Sequence, residues 1–178
     1  MNQGLTVWFT GLSSAGKTTL SRAVRERLCA AGRRVELIDG DVIRQYLCKD
    51  LGYSKADRDE NIRRIGFVAE LLTRHGVIVL VAAISPYRAL RDEMREKIGN
   101  FLEIYVHAPL EICERRDLKG IYKRARLGEL HGVTGIDDPY EAPHAADVEC
   151  RTDLETLAES TAKVLSAVER WFANSGWR

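Results

Sequence analysis

Two glycines, a lysine and a threonine near the start of the chain have the types and spacing that most directly imply chemistry. They lie in Gly11-Leu12-Ser13-Ser14-Ala15-Gly16-Lys17-Thr18-Thr19, which fits G-x-x-x-x-G-K-[ST]. In a loop of this kind consecutive backbone N–H groups face one concavity, at the positive end of the following helix, and cradle phosphates. Gly11 and Gly16 permit backbone conformations and close approach that a Cβ would block. Lys17 can reach the outer phosphates of a nucleoside triphosphate, and the Thr18 hydroxyl can ligate Mg²⁺. The apolar Val7-Trp8-Phe9 before the loop and the helical spacing after it supply the strand–loop–helix context that the pattern needs.

Other candidate groups fall where apolar runs end. Asp39-Gly40-Asp41 follows Val35–Ile38. Two carboxylates separated by glycine can serve Mg²⁺, hold its water shell or take a proton from an attacking hydroxyl. An aspartate there can equally cap a helix. The next apolar run ends in Val81-Ala82-Ala83-Ile84 without a carboxylate, so residues 39–41 are the available metal partners. Arg44, one helical turn beyond Asp41, can bind an anion beside it. In Arg58-Asp59-Glu60-Asn61-Ile62-Arg63-Arg64, Arg58 and Asn61 share a helix face and could hold an acidic group and a polar edge. Ser85-Pro86-Tyr87-Arg88 places a hydroxyl, an aromatic ring and a guanidinium at the end of another run, with Ser85 as a candidate helix cap. Lys119, Lys123, Arg124 and Arg126 form a basic segment able to close over a nucleotide. The histidines at 75, 107, 131 and 144 lack metal-ligand spacing.

These positions need a scaffold, and the alternation of strand and helix patterns predicts a parallel sheet with helices on both faces. Strands are expected at Leu5–Thr10, Val35–Ile38, Val77–Ile84, Phe101–Val106 and Val148–Cys150. The continuous run VIVLVAAI at 77–84 predicts a strand buried on both faces, central in the sheet. Helices are expected over Thr18–Ala31, from a capping box at Ser54 and Asp57 to Gly76, from Pro86, from Pro109, and over 154–172. Residues 117–147, with several glycines and two of the four prolines, show weak periodicity and read as a mobile lid. Since open parallel sheets bind ligands beyond the carboxyl ends of their strands, every candidate group above falls at one edge.

Composition bounds the alternatives. A chain of 178 residues is expected to form a single domain. A net charge of +1, from 27 basic and 26 acidic residues, gives no general argument for a nucleic-acid or acidic-membrane partner. The cysteines at 29, 48, 113 and 150 contain no C-x-x-C pair and read as reduced packing residues. Met1-Asn2-Gln3-Gly4 shows no signal-peptide pattern and no apolar run is long enough to span a bilayer, so a cytoplasmic setting is expected.

Taken together, the stretches G-L-S-S-A-G-K-T-T at 11–19, D-G-D-V-I-R at 39–44, D-R-D-E-N-I-R-R at 57–64, I-S-P-Y-R at 84–88, R-D-L-K-G-I-Y-K-R-A-R at 116–126 and T-G-I-D-D-P-Y-E at 134–141 resemble the adenylyl-sulfate kinases. These are P-loop kinases that pass the ATP γ-phosphoryl group to the 3′-hydroxyl of adenosine 5′-phosphosulfate. The resemblance implies a three-layer, nucleoside-kinase-like α/β fold with five parallel strands, ATP and Mg²⁺ as cofactors, and a homodimer. It implies that residues 11–19, Arg126, Thr152 and Asp153 bind ATP, with Thr18 and, through water, Asp39 at the metal. It implies Asp41 as the base that orients the 3′-hydroxyl, beside Lys17 and Lys119. The acceptor would be held by Asp41, Arg44, Tyr53, Arg58, Asn61, Ile84, Ser85, Lys119, Gly132 and Val133. Ser85 occupies the position described in that family as a phosphoserine intermediate, although direct in-line transfer needs only positioning and charge stabilisation. Three positions depart from the family pattern: Ser14 replaces a usual glycine, and Tyr53 and Val133 replace a pair of phenylalanines that sandwich the acceptor adenine. Losing one such aromatic contact weakens binding by roughly 0.5–1.5 kcal/mol, so Val133→Phe is expected to tighten it. The altered pair leaves room for another nucleotide-like alcohol as acceptor. A regulatory nucleotide switch is a further alternative, against which stands the absence of an N-K-x-D guanine-reading motif.

Overall fold

Strand β1 (Leu5–Thr10) is buried along its whole length because alternate residues serve two separate cores. Leu5, Val7 and Phe9 face one cluster, and Trp8 faces the other. This strand lies at the centre of a five-stranded parallel sheet of order β2-β3-β1-β4-β5 in the computed structural model, which describes residues 4–174. The leader-free reading of Met1-Asn2-Gln3 therefore lies outside the described residues.

The remaining strands are β2 (Val35–Asp39), β3 (Ile78–Ala82), β4 (Phe101–His107) and β5 (Val148–Arg151). The apolar run at 77–84 does give a strand buried on both faces, but it is second in the sheet, between β2 and the central β1. It also ends at Ala82, because Ser85 turns the chain with φ 48°. Among the described residues seven helices connect or follow the strands: α1 (Lys17–Ala30), α2 (Gly40–Tyr46), α3 (Lys55–Arg74), α4 (Arg88–Ile98), α5 (Leu110–Arg116), α6 (Ile121–Arg126) and α7 (Leu157–Asn174). Helices α1 and α7 cover the cluster built on Leu5, Val7 and Phe9, through Leu20, Val24, Val164, Val168 and Phe172. Helices α3 and α4 cover the Trp8 cluster, through Ile62, Ile65, Ala69, Leu90 and Met94. The result is helix, sheet and helix in three layers.

Several helix boundaries follow their sequence signals and others do not. The Ser54 hydroxyl accepts from the Asp57 amide at 3.1 Å and opens α3, as its capping box predicts. Ser85 and Pro86 do not open α4. Tyr87 is its cap and the helix starts at Arg88, since the positive φ of Ser85 directs the chain away from a helical entry. Helix α7 starts at Leu157, not 154: residues 152–155 form a turn in which Leu154 is exposed.

The excursion at 117–147 divides into two parts. Residues 118–130 carry α6 and expose Leu118 and Leu127. Residues 132–142 are tied to the body instead. Asp137 accepts from the amides of Gly132 and Val133 at 2.7 and 2.5 Å, and the Glu141 amide donates to Pro86 O at 2.8 Å. The expected lid thus consists of an exposed first part and a second part hydrogen-bonded to the body.

Candidate functional site

The phosphate-type loop has the backbone that its sequence requires. Gly11 adopts φ 150°, and a Cβ there would lie 2.2 Å from the Val106 carbonyl oxygen. Gly16 caps α1 with φ 105°. Between them Ser14, where the resemblance leads to glycine, takes φ 58°, a left-handed conformation that favours a residue without a Cβ. The Ala15 side chain is fully buried, and its carbonyl accepts from the Thr152 hydroxyl at 2.7 Å. Lys17 folds back on its own loop, donating to Gly11 O at 3.0 Å and Leu12 O at 2.7 Å. Burial, and then the nearby Lys119 charge, lower its pKa from 10.5 to about 8.

Beside the loop, Thr18 Oγ1 donates to Asp39 Oδ2 at 3.1 Å. The other Asp39 oxygen accepts from the Asp41 amide at 2.9 Å, so this carboxylate caps α2 while standing beside the loop hydroxyl. A hydroxyl and a carboxylate so placed suit Mg²⁺, which keeps several waters and takes further oxygens from phosphates. Among the described residues no group of three or more His, Cys, Asp or Glu side chains is placed to hold a metal without such help. Asp41 projects from α2 and forms an ion pair with Lys119 of the lid.

The second half of the site is built on α2, α3 and the loop after β3. Arg44 donates to Leu51 O at 3.3 Å and Gly52 O at 2.6 Å, with its guanidinium 4.7 Å from the centroid of the exposed Tyr53 ring. Arg58 is buried and fully engaged. It donates to Tyr53 O at 2.9 Å, to Thr134 Oγ1 at 2.7 Å and to Gly132 O, and pairs with Asp138 at 3.2 Å. Asn61, 7% exposed, has no partner for its Oδ1. Ser85 turns its hydroxyl inward, where Oγ accepts from Trp8 Nε1 at 2.9 Å. That leaves a nearly buried oxygen engaged with the core, and among the described residues no carboxylate or imidazole hydrogen-bonds to it.

A cavity of about 1180 Å³ joins these halves. Its wall includes Ser13, Ser14, Gly16, Lys17, Thr18 and Thr19 from the loop side. Asp39, Asp41, Arg44, Tyr53, Arg58 and Asn61 line the opposite side, and Ile84, Ser85, Lys119 and Thr152 complete it. The other expected residues lie elsewhere. Gly11, Leu12 and Ala15 shape the loop from behind it, without reaching the wall. Arg126 pairs with Glu114 at 2.5 Å and Asp153 with Arg151 at 3.0 Å, both outside the wall. Gly132 is occupied by Arg58 and Asp137. Val133 is 6% exposed and packs in the cluster under β1, so the position expected to stack on an acceptor base is a core residue here. The physical reason is the Asp137 cap, which folds residues 132–137 inward onto apolar neighbours.

Two residues were missed in the sequence. Arg116 lines the cavity and donates to Thr152 O at 2.6 Å and Oγ1 at 3.1 Å, which fixes the wall beyond the loop. Tyr122 is buried, and its hydroxyl donates to Ser13 O at 3.1 Å, tying α6 to the phosphate loop. The signal for Tyr122 was a lone aromatic among the basic residues of the lid, too bulky and apolar to be a solvated position.

The comparisons with known proteins agree with this geometry. A family model described as adenylylsulphate kinase matches residues 3–151. The chain is 67% identical over 164 residues to the adenylyl-sulfate kinase of a Picosynechococcus species, covering 92% of this chain and 93% of that protein. It is 65% identical over 162 residues to the adenylyl-sulfate kinase of Microcystis aeruginosa, covering 91% and 90%. The structure of the Mycobacterium tuberculosis APS kinase CysC in complex with AMPPNP and APS superposes with a TM-score of 0.90 at 43% identity, over 95% of this chain and 99% of that one. A phosphate loop facing a second polar pocket, on a sheet and sequence shared almost end to end with these proteins, places the chain in the adenylylsulphate kinase family.

Proposed function

We propose that the protein transfers the γ-phosphoryl group of ATP to the 3′-hydroxyl of adenosine 5′-phosphosulfate in sulfate assimilation, giving 3′-phosphoadenosine 5′-phosphosulfate and ADP. The observation that carries this reading is the two-sided cavity. One wall is a phosphate loop, and the other presents Asp41, Arg44, Tyr53 and Asn61, a set of polar and aromatic groups suited to a second, acceptor nucleotide. A bare nucleotide switch has no use for that wall.

In this reading ATP lies with its phosphates on residues 11–19 at the α1 N-terminus, and Lys17 turns from its loop carbonyls to the outer phosphates. Thr152, anchored by Arg116, bounds the nucleotide, while Arg126 and Asp153, paired with Glu114 and Arg151, lie outside the cavity wall. Thr18, and Asp39 through water, would hold Mg²⁺, which when bound screens phosphate charge. The acceptor lies between Tyr53, Arg44 and Asn61, with Ile84 and Ser85 beneath it. Arg58 supports that pocket through its bonds to Tyr53 O and Thr134, and Val133 packs behind it. Asp41 accepts the proton of the 3′-hydroxyl as its oxygen bonds to the γ-phosphorus and the bond to the β-phosphate oxygen breaks. Lys119 leaves Asp41 for the phosphates in the same closure. The inward Ser85 hydroxyl supports direct transfer without a phosphoserine. The homodimer rests on the resemblance alone, and the cytoplasmic setting on the absence of a signal-peptide pattern and of a spanning apolar run in the sequence.

The test is product identity. Incubated with ATP, Mg²⁺ and adenosine 5′-phosphosulfate, the protein should form ADP and the 3′-phosphorylated product in equal amounts. ADP formed at the same rate without acceptor, or only with a different alcohol, refutes the assignment.

A further inference from the structure

Behind the acceptor wall a buried arginine joins two segments far apart in sequence. Arg91, on α4, is 1% exposed. Its Nε donates to Glu103 Oε1 on β4, one terminal nitrogen to Ser85 O and the other to Glu141 O, each at 2.7 Å. Glu103 is buried as well, so the pair sits within the packing between α4 and the sheet. Burying such a pair has a desolvation penalty, and packed apolar residues of the same size often match its stability. What apolar residues cannot do is hold two carbonyls at fixed positions through one planar fork.

One carbonyl belongs to the loop that lines the acceptor end of the cavity, and the other to the return of the excursion, which lies outside the wall and hydrogen-bonds to that loop through Pro86 O. Ser85 has φ 48°, a conformation that is unfavourable for serine and persists only where its surroundings impose it. Three side chains do so. Trp8 Nε1 holds its hydroxyl, Arg91 its carbonyl, and Thr10 Oγ1 the preceding Ile84 carbonyl at 2.7 Å. Both loop carbonyls are thereby engaged away from the ligand, while Ile84 and Ser85 themselves line the cavity. At Glu141 the same guanidinium fixes the return of the excursion. Arg88 adds its amide to Glu141 Oε2 at 2.8 Å, and Tyr140 Oη meets Thr10 Oγ1 at 3.0 Å.

We propose that Arg91, charge-compensated by Glu103, is a positioning residue for the acceptor. It locks the strained Ile84-Ser85 turn to the Tyr140–Ala142 return, and so presets the shelf on which the acceptor rests. It touches no reacting atom. The inference rests on the acceptor lying against Ile84 and Ser85.

Arg91→Lys keeps a charge for Glu103 but lacks the fork, and cannot hold both carbonyls. It should raise the KM for adenosine 5′-phosphosulfate about tenfold, the scale of one lost charged hydrogen bond. The KM for ATP and kcat at saturating acceptor should stay within about twofold. Amide exchange at 84–88 and 140–142 should quicken in the ligand-free protein. Should Arg91→Lys fail to fold, the double variant Arg91→Gln, Glu103→Gln removes both charges while keeping both side chains polar and should show the same KM shift. An unchanged acceptor KM in either folded variant, with only thermal stability reduced, makes the pair merely structural and overturns the proposal. If the parent protein forms no 3′-phosphorylated product, the functional reading fails instead. Amide exchange at 84–88 then still decides whether Arg91 positions the turn, and unchanged exchange sinks it.

Discussion

Lys17 gives the protein a pH dependence with a definite sign and size. In the ligand-free state its pKa falls to about 8 from 10.5, chiefly through burial and then through the Lys119 charge. About one lysine in ten is then neutral at pH 7 and about nine in ten at pH 9. Bound triphosphate favours the ammonium, so binding above pH 8 must first recover a proton. Apparent affinity should fall roughly tenfold between pH 7 and 9, equivalent to about 1.4 kcal/mol. Calorimetric titration with a non-hydrolysable ATP analogue in two buffers of different ionisation enthalpy measures both parts. Affinity should fall, and proton uptake should approach one per nucleotide by pH 9. Lys119→Ala removes a like charge, so the fall should move to higher pH. The stability of the empty protein should run the other way. Between about pH 8 and 10.5 the unfolded chain binds the proton that folded Lys17 has released, so this group favours folding increasingly as pH rises. A flat affinity from pH 7 to 9 without proton uptake would refute the reasoning.

The remaining predictions concern single side chains. Asp41→Asn should lower kcat by roughly 10²–10⁴ while analogue affinity changes less than about twofold, as stopped-time product assays and titration would show; near-normal turnover would remove Asp41 from the mechanism. Ser14→Gly relieves a left-handed serine, worth roughly 1–2 kcal/mol, against a glycine entropy penalty of roughly 0.5–1 kcal/mol. Its melting temperature should rise by about 1–4 °C; a fall would mean that the Ser14 side chain stabilises the loop. Val133→Phe, which the sequence alone commends for tighter acceptor binding, should instead destabilise the protein by about 1–3 kcal/mol through overpacking, read by denaturant titration. A lower acceptor KM at unchanged stability would restore the stacking role.

The sheet edge carrying the site could be read from the sequence because its signals are local. A glycine spacing, a capping box and an eight-residue apolar run each report on their own neighbourhood. Sheet order is not local: the most apolar run looked central, yet β1 takes that place, its threonines and tryptophan satisfied by partners 65 or more positions away. The site divides in the same way. Lys17, Thr18, Asp39 and Asp41 stand within or just after motifs and reach the cavity. Arg126, Asp153, Gly132 and Val133 were placed by alignment with a family pattern, and their surroundings depend on long-range contacts that no spacing encodes. Arg58 shows the limit well. Its position on the α3 face was foreseen, but Thr134 and Asp138, which occupy it, lie 76 and more residues downstream.

The contact between Lys119 and Asp41 bears on how ATP survives inside the empty protein. A carboxylate poised near a terminal phosphate could also activate water, and hydrolysis would waste the donor. With the Lys119 ammonium laid against it, the Asp41 carboxylate is engaged by the lysine until something draws Lys119 away. On the proposed assignment, only a filled pocket offers the phosphates and the hydroxyl together, so the closure that frees Asp41 would also bring the proper nucleophile. Lys119→Ala should therefore raise acceptor-independent ADP release relative to productive transfer, and an unchanged ratio would argue against it. On the proposed assignment, the Lys119–Asp41 pair would serve as a safety catch that spares ATP in the resting state.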